Sequence, residues 1–152
     1  MHFYELIKNL SNNKELILFV DMDGVIASYE IAKAFDFDKK RPLKTRIQIF
    51  KDLNKLNNVE LHILSVCHLD SQIKEKNDWL DKEAPFFEKD KRTIISKESH
   101  PGKETKNLKL EYLKTVKTNK QIIFIDDDNE LLKHIHKYLP EIILYQDSEL
   151  VD

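Results

Sequence analysis

The sequence predicts an α/β fold: a mostly parallel five-stranded sheet with helices on both faces, three layers in all, forming one domain over residues 1–152. Three observations carry that expectation. Apolar runs of strand length alternate with longer stretches of helical periodicity, the pattern of successive right-handed βαβ units. The first run, Leu16 to Val20, is apolar at every position, as a central parallel strand covered on both faces requires. Finally, 152 residues at 41% hydrophobic content can build one α/β core and are short for two.

Each element follows from its own pattern. Phe3, Leu6, Ile7 and Leu10 lie at helical spacing in residues 2–10, and Ser11, Asn12 and Asn13 punctuate the end. The strand at 16–20 follows. Leu43, Ile47, Phe50, Leu53 and Leu56 share one helical face, and two asparagines separate that helix from a second strand, VELHILSV, at 59–66. Residues 70–82 read as a helix opened by an Asp70 cap and closed before Pro85. RTIIS at 92–96 is a short third strand and residues 107–116 are helical. QIIFI at 121–125 is the fourth strand, 130–138 the last helix and EIILY at 141–145 the fifth strand.

Charge and cysteine content exclude some classes. The formal net charge is −2, so no global basic field draws nucleic acid or an anionic membrane. Cys67 is the single cysteine, which rules out an internal disulfide and a paired-cysteine metal knuckle and suits a reducing cytoplasm. The first fifteen residues lack a basic leader, and no apolar run approaches membrane-spanning length, so a cytoplasmic protein without membrane contact is expected.

In open parallel sheets, ligands sit beyond the carboxyl ends of the strands, where strand order reverses. The residues at those ends are Asp21 and Asp23, then Ser65, then Ser96, then Asp126, Asp127 and Asp128. So many carboxylates would repel one another without a divalent cation. Hard oxygen donors with no His or Cys partner point to Mg²⁺.

The set FVDMDGVIA, a second strand ending in Ser65, a lysine near a helix start and IFIDDD resembles the haloacid dehalogenase superfamily of phosphohydrolases over residues 16–145. The resemblance implies a Rossmann-like three-layer fold and Mg²⁺-dependent phosphomonoester hydrolysis through an aspartyl-phosphate. It makes Asp21 the nucleophile and Asp23 the acid that protonates the leaving oxygen and then activates water. Gly24 lets the backbone turn away after the acid. Ser65 binds a phosphoryl oxygen, with Val66 and Gly24 completing the substrate contacts. Asp127 completes a metal site shared with Asp21, Asp23 and Asp126, Asp23 contributing its backbone carbonyl and Asp126 orienting the lysine or a metal-bound water. For that phosphate-holding lysine, Lys106 is the first choice, because with it in the first helical turn Leu110 and Leu113 face the core. Lys103 and, more distantly, Lys97 are alternatives.

A narrower likeness links VDMDGVIA, IDDDNELL and Trp79 in EKNDWLDKEAPFF to the 5'(3')-deoxyribonucleotidase branch, which would make the chain a 5'-nucleotidase. The sequence departs from that branch after Ser65, and residues 28–42 are too few for a helical cap. Little or no cap is expected, hence an open site acting on a nucleotide or nucleic-acid-terminal phosphate, completed by a homo-oligomer contact or a partner surface. A sugar-phosphate phosphatase, or a catalytically silent binding protein on the same scaffold, are the alternatives. In the short insert, Tyr29, Phe35 and Phe37 either stack on a base or cover the core. Cys67 reads as structural, His68 as a candidate substrate contact, and His134 and His136 as facing different sides of their helix. Trp79 reads as core, and the lysine-rich stretches KEKNDWLDK and LKLEYLKTVKTNK as solvated helix faces.

Overall fold

Five parallel strands form one sheet in the computed structural model, which describes residues 2–30 and 36–151. They are β1 (Leu16–Val20), β2 (Val59–Cys67), β3 (Arg92–Ser96), β4 (Gln121–Asp126) and β5 (Ile143–Gln146), in spatial order β3-β2-β1-β4-β5. The helices are α1 (His2–Ser11), α2 (Lys44–Leu53), α3 (Ser71–Glu83), α4 (Thr105–Thr115) and α5 (Asn129–Tyr138). The expected three-layer fold is the one observed.

β1 lies at the centre, and all five of its residues are buried. Its period-two geometry sends Leu16, Leu18 and Val20 into one core with Phe3, Ile7, Phe50, Trp79 and Phe87, and Ile17 and Phe19 into the other with Leu110, Leu113 and Ile135. Each such side chain contributes about 1.5–3 kcal/mol on burial, so this strand is the fold's anchor. β1 pairs with β2 from Leu16↔Val59 to Val20↔Ile63, and with β4 from Leu16↔Gln121 to Val20↔Ile125. The order reverses between β1 and β4, and the loops there diverge to opposite faces.

Several boundaries differ from the sequence reading. α2 stops at Leu53, and Leu56 closes a following turn by donating its N–H to the Leu53 carbonyl at 3.0 Å. α4 begins at Thr105, two residues early. Asp70 does not cap α3. Its backbone is already helical, and its carboxylate accepts the Ser99 hydroxyl at 2.6 Å. Gln72 in the first turn reaches back to the preceding loop, its Oε1 accepting the N–H groups of His68 (3.0 Å) and Leu69 (2.9 Å). Between β1 and α2 the helical structure among the described residues is one 3-10 turn, Phe37–Lys39. Phe35 lies outside the described residues. Among those described, no helix is long and apolar enough to cross a membrane.

Candidate active site

The end of β1 is held from several sides. Asp21 donates its N–H to the Ile125 carbonyl of β4 at 3.0 Å, which ties the two strand tips together. The chain then reverses over the Met22 carbonyl, which accepts the N–H groups of Val25, Ile26 and Ala27 at 3.2, 3.0 and 2.9 Å. Gly24 sits in this turn at φ +79°, and a Cβ there would lie 2.0 Å from Asp127 Oδ2. Only glycine satisfies both the left-handed backbone and that approach. Arg46 of α2 secures the turn by donating to the Gly24 carbonyl at 2.8 Å and to Asp147 at 3.0 Å.

The tip of β4 brings the other acids across. Asp126 is buried; its Oδ1 accepts the Asp128 N–H at 3.0 Å and its Oδ2 accepts from Lys109 at 2.7 Å. Asp128 caps α5, accepting the N–H groups of Glu130 and Leu131 at 3.0 and 3.2 Å. Asp21, Asp126 and Asp127 place carboxylate oxygens within 4.8 Å of one another, a group able to hold a metal ion. The electrostatics reflect that crowding. Burial, with the Asp126 charge beside it, pushes the Asp21 carboxyl up to about 7. Burial and the Asp21 charge push Asp127 up to about 6, and burial raises Asp126. For Lys109, burial works against the charge, but Asp21 and Asp126 overcome it and hold the ammonium above its usual range.

The lysine at this centre is Lys109, and not Lys106. Lys109 Nζ reaches Asp21 Oδ1 at 3.0 Å and Asp126 Oδ2 at 2.7 Å, with its side chain almost wholly buried. Lys106 is exposed and pairs with Glu104 at 3.7 Å, while Lys103 pairs with Glu111 at 2.8 Å. The reason is geometric. Helical side chains lean back toward the helix N-terminus, so the residue that covers a site at the helix start is one turn further along. Lys109 sits between Leu108 and Leu110 and four residues before Leu113, all buried, a placement that marks it as inward-facing.

Asp23 is expected to offer a cation its backbone carbonyl and to keep its carboxylate for acid and base work. Its carboxylate is not in the three-acid group; Lys76 of α3 donates to its Oδ2 at 3.2 Å, and Lys40 from the insert is ion-paired with its Oδ1. Any share it takes in holding a cation therefore falls to its backbone carbonyl. Lys76 also donates to Ser65 Oγ at 2.6 Å and to the Val66 carbonyl at 3.1 Å, and both ammoniums lie 4.9 Å from the Phe37 ring centre. Ser65 is fully buried beneath Lys76, whereas Val66 lines the cleft. Lys76 and Lys109, read as part of solvated faces, are both buried site residues. Lys76 shares its inward face with Gln72, Trp79 and Leu80, the one sequence signal that could have found it. Lys40 lies in a loop, where no periodicity could point to it. Trp79 is core as expected, and its Nε1 donates to the Lys40 carbonyl at 3.0 Å, fixing the insert. Cys67 is buried and donates to the Leu69 carbonyl at 3.3 Å, and burial pushes its thiol up, which suits a structural role.

These groups open into a cleft of about 190 Å³ lined by Asp21, Asp23, Tyr29, Val66, Thr105 and Asp127, among others. No protein-family model and no curated protein matches the sequence. Two solved structures have a similar fold. One, the structure of the Pnkp1/Rnl/Hen1 RNA repair complex, aligns at a TM-score of 0.68 and 13% identity over 88% of this chain and 42% of that one. The other, of the Pnkp1/Rnl/Hen1 complex, aligns at a TM-score of 0.67 and 12% identity over 88% of this chain and 46% of its own. The chain thus spans less than half of those chains, and at this identity the likeness is one of α/β fold alone.

Proposed function

We propose that the protein is a Mg²⁺-dependent phosphomonoesterase of haloacid dehalogenase type, acting through an aspartyl-phosphate on a nucleotide or nucleic-acid-terminal phosphate. The observation that carries this reading is Asp21 held by Lys109 beside Asp126 and Asp127, with Asp23 opening into the same cleft. A group of three carboxylates without His or Cys is the donor chemistry of a hard cation and fits Mg²⁺. When bound, the ion neutralises the carboxylates and polarises a phosphoryl oxygen. Asp21 supplies the oxygen that bonds to phosphorus as the ester P–O bond breaks. Lys109 fixes that carboxylate through Oδ1 and adds positive charge beside the transferring group. Asp23 gives a proton to the leaving oxygen. It then takes one from the water that displaces Asp21 from phosphorus, releasing inorganic phosphate. Lys76 and Lys40 hold Asp23 in place for both steps.

Substrate choice rests on the open cleft and on the solved structures of similar fold, whose complex is one of RNA repair. Both favour a macromolecular end over a small metabolite. The test is phosphate release from 3'-phosphorylated RNA oligonucleotides, nucleoside monophosphates and sugar phosphates, with and without Mg²⁺. Mg²⁺-dependent release that is greatest on the oligonucleotide and abolished in Asp21→Asn is expected. Undiminished turnover by Asp21→Asn would overturn the reading.

A further inference from the structure

The carboxylate cleft, at about 190 Å³, is smaller than the roughly 300–1,000 Å³ of pockets that enclose a whole ligand. It takes a phosphoryl group, and whatever carries that group must lie across the rim. Tyr29 is on the rim and 61% exposed. Isolated exposed aromatics are common and need no explanation. Tyr29 differs because the fold builds a support under it. Lys40 lies 5.2 Å from its ring centre, and the same buried ammonium is ion-paired with Asp23 and lies over Phe37. Two hydrogen bonds between Ser28 and Arg41 anchor the insert next to it: the Ser28 N–H donates to the Arg41 carbonyl at 2.8 Å, and the Arg41 N–H donates to Ser28 Oγ at 3.0 Å. The other described ring of the insert, Phe37, is 2% exposed and packs edge-on against Trp79 at 5.6 Å. Of its two described aromatics, the insert therefore places one in the core and holds the other at the mouth of an anion-handling cleft.

We propose that Tyr29 is a stacking platform for the terminal base of a nucleic-acid substrate whose phosphate enters the carboxylate cleft. One face of the ring rests on the Lys40 ammonium, and the exposed remainder is presented to a planar, electron-deficient partner, which a nucleobase supplies and a sugar does not. Because Lys40 touches both Tyr29 and Asp23, base and leaving oxygen are set relative to one another by one side chain. The inference rests on the phosphomonoesterase reading and adds the part of the substrate that reading leaves open.

The experiment compares kcat/KM on a single-stranded 3'-phosphorylated oligonucleotide with that on the same oligonucleotide ending in an abasic 3'-phosphate. Wild type is expected to favour the base-bearing end by roughly thirtyfold, the middle of the range for base–aromatic stacking. Tyr29→Ala should collapse that ratio to near one, chiefly through KM, and Tyr29→Trp should restore it. A ratio that survives Tyr29→Ala, with both substrates slowed alike, would show that Tyr29 only braces Lys40 and would overturn the inference. So would a wild type that cleaves both ends equally, a result that leaves the phosphomonoesterase reading standing. Failure of wild type on every phosphate ester, abasic and sugar phosphates included, sinks that reading and this inference with it.

Discussion

Replacing Lys109 with Met removes the cation that, among the described residues, touches both Asp21 and Asp126 while keeping most of the side chain's volume. At 3.0 and 2.7 Å, each contact amounts to about 6 kcal/mol of Coulomb attraction at an effective dielectric constant of about 20. Desolvating the ammonium cancels much of that sum, and deleting one partner of a buried ion pair typically costs about 3–5 kcal/mol, a large share of the roughly 5–15 kcal/mol that holds a domain together. The loss should depend on pH in a defined direction. Asp21 is already raised from 3.8 to about 7, so its protonated form favours the fold at low pH and that contribution is lost as pH rises through 7. Without Lys109 both carboxyls rise further. The variant's deficit should therefore grow as pH rises above 7, shrink as pH falls toward 7 and below, and vanish where both acids are protonated in variant and wild type alike. Urea denaturation at several pH values, in EDTA and then in excess Mg²⁺, measures this directly. Mg²⁺ should reduce the deficit by neutralising the same carboxylates. A deficit below about 1 kcal/mol, or one that ignores both pH and Mg²⁺, would show that Lys109 is a packing residue and refute the reasoning.

Three further outcomes follow from the same site. Gly24→Ala forces a side chain into φ +79° and against Asp127 Oδ2 at 2.0 Å, so it should cost about 1–2 kcal/mol and swing that carboxylate aside. Mg²⁺ should then no longer raise the melting temperature, and a wild-type metal response would contradict this. Because Asp21 and Asp127 are pushed up to about 7 and about 6, a cation must displace protons to bind. Calorimetric Mg²⁺ affinity should accordingly weaken as pH falls from 8 to 5.5, with proton release on binding; an affinity flat across that range argues against these carboxylates as ligands. Trp79→Phe keeps an aromatic ring edge-on to Phe37 but loses the 3.0 Å bond to the Lys40 carbonyl, and should cost about 1 kcal/mol while slowing turnover through a displaced Lys40. Unaltered turnover would mean that the insert holds its position without that bond.

What could be read from the sequence was whatever side-chain burial repeats at a fixed period. Leu16–Val20 and Arg92–Ser96 are strands at the expected bounds, because an apolar run between polar turns leaves a buried parallel strand little latitude. The carboxylates at the ends of β1 and β4 were legible because parallel topology alone carries strand tips to one edge. Helix ends were less so, since they depend on caps. Asp70 makes no side-chain cap on α3, and α4 opens early at Thr105 after Glu104. The lysines were hardest. Lys76 and Lys109 are charged residues on buried stripes, and a charge is normally evidence for solvent; what keeps them inside is acids elsewhere in the chain. Lys106 looked better placed only until the backward lean of helical side chains is considered, and Lys40 reaches Asp23 through a loop path that no pattern in residues 28–42 encodes.

The central claim is that Asp21 bonds to phosphorus, and trapping that bond tests it most directly. Asp23→Asn loses both the acid for loading and the base for discharge, but an activated aryl phosphate has a leaving group that needs no proton. The variant mixed with Mg²⁺ and an aryl phosphate, then quenched in acid, should therefore show one added phosphoryl group by mass, located on the peptide carrying Asp21. Phosphate released to solvent with no such adduct at any quench time, or an adduct on a different residue, would contradict the account.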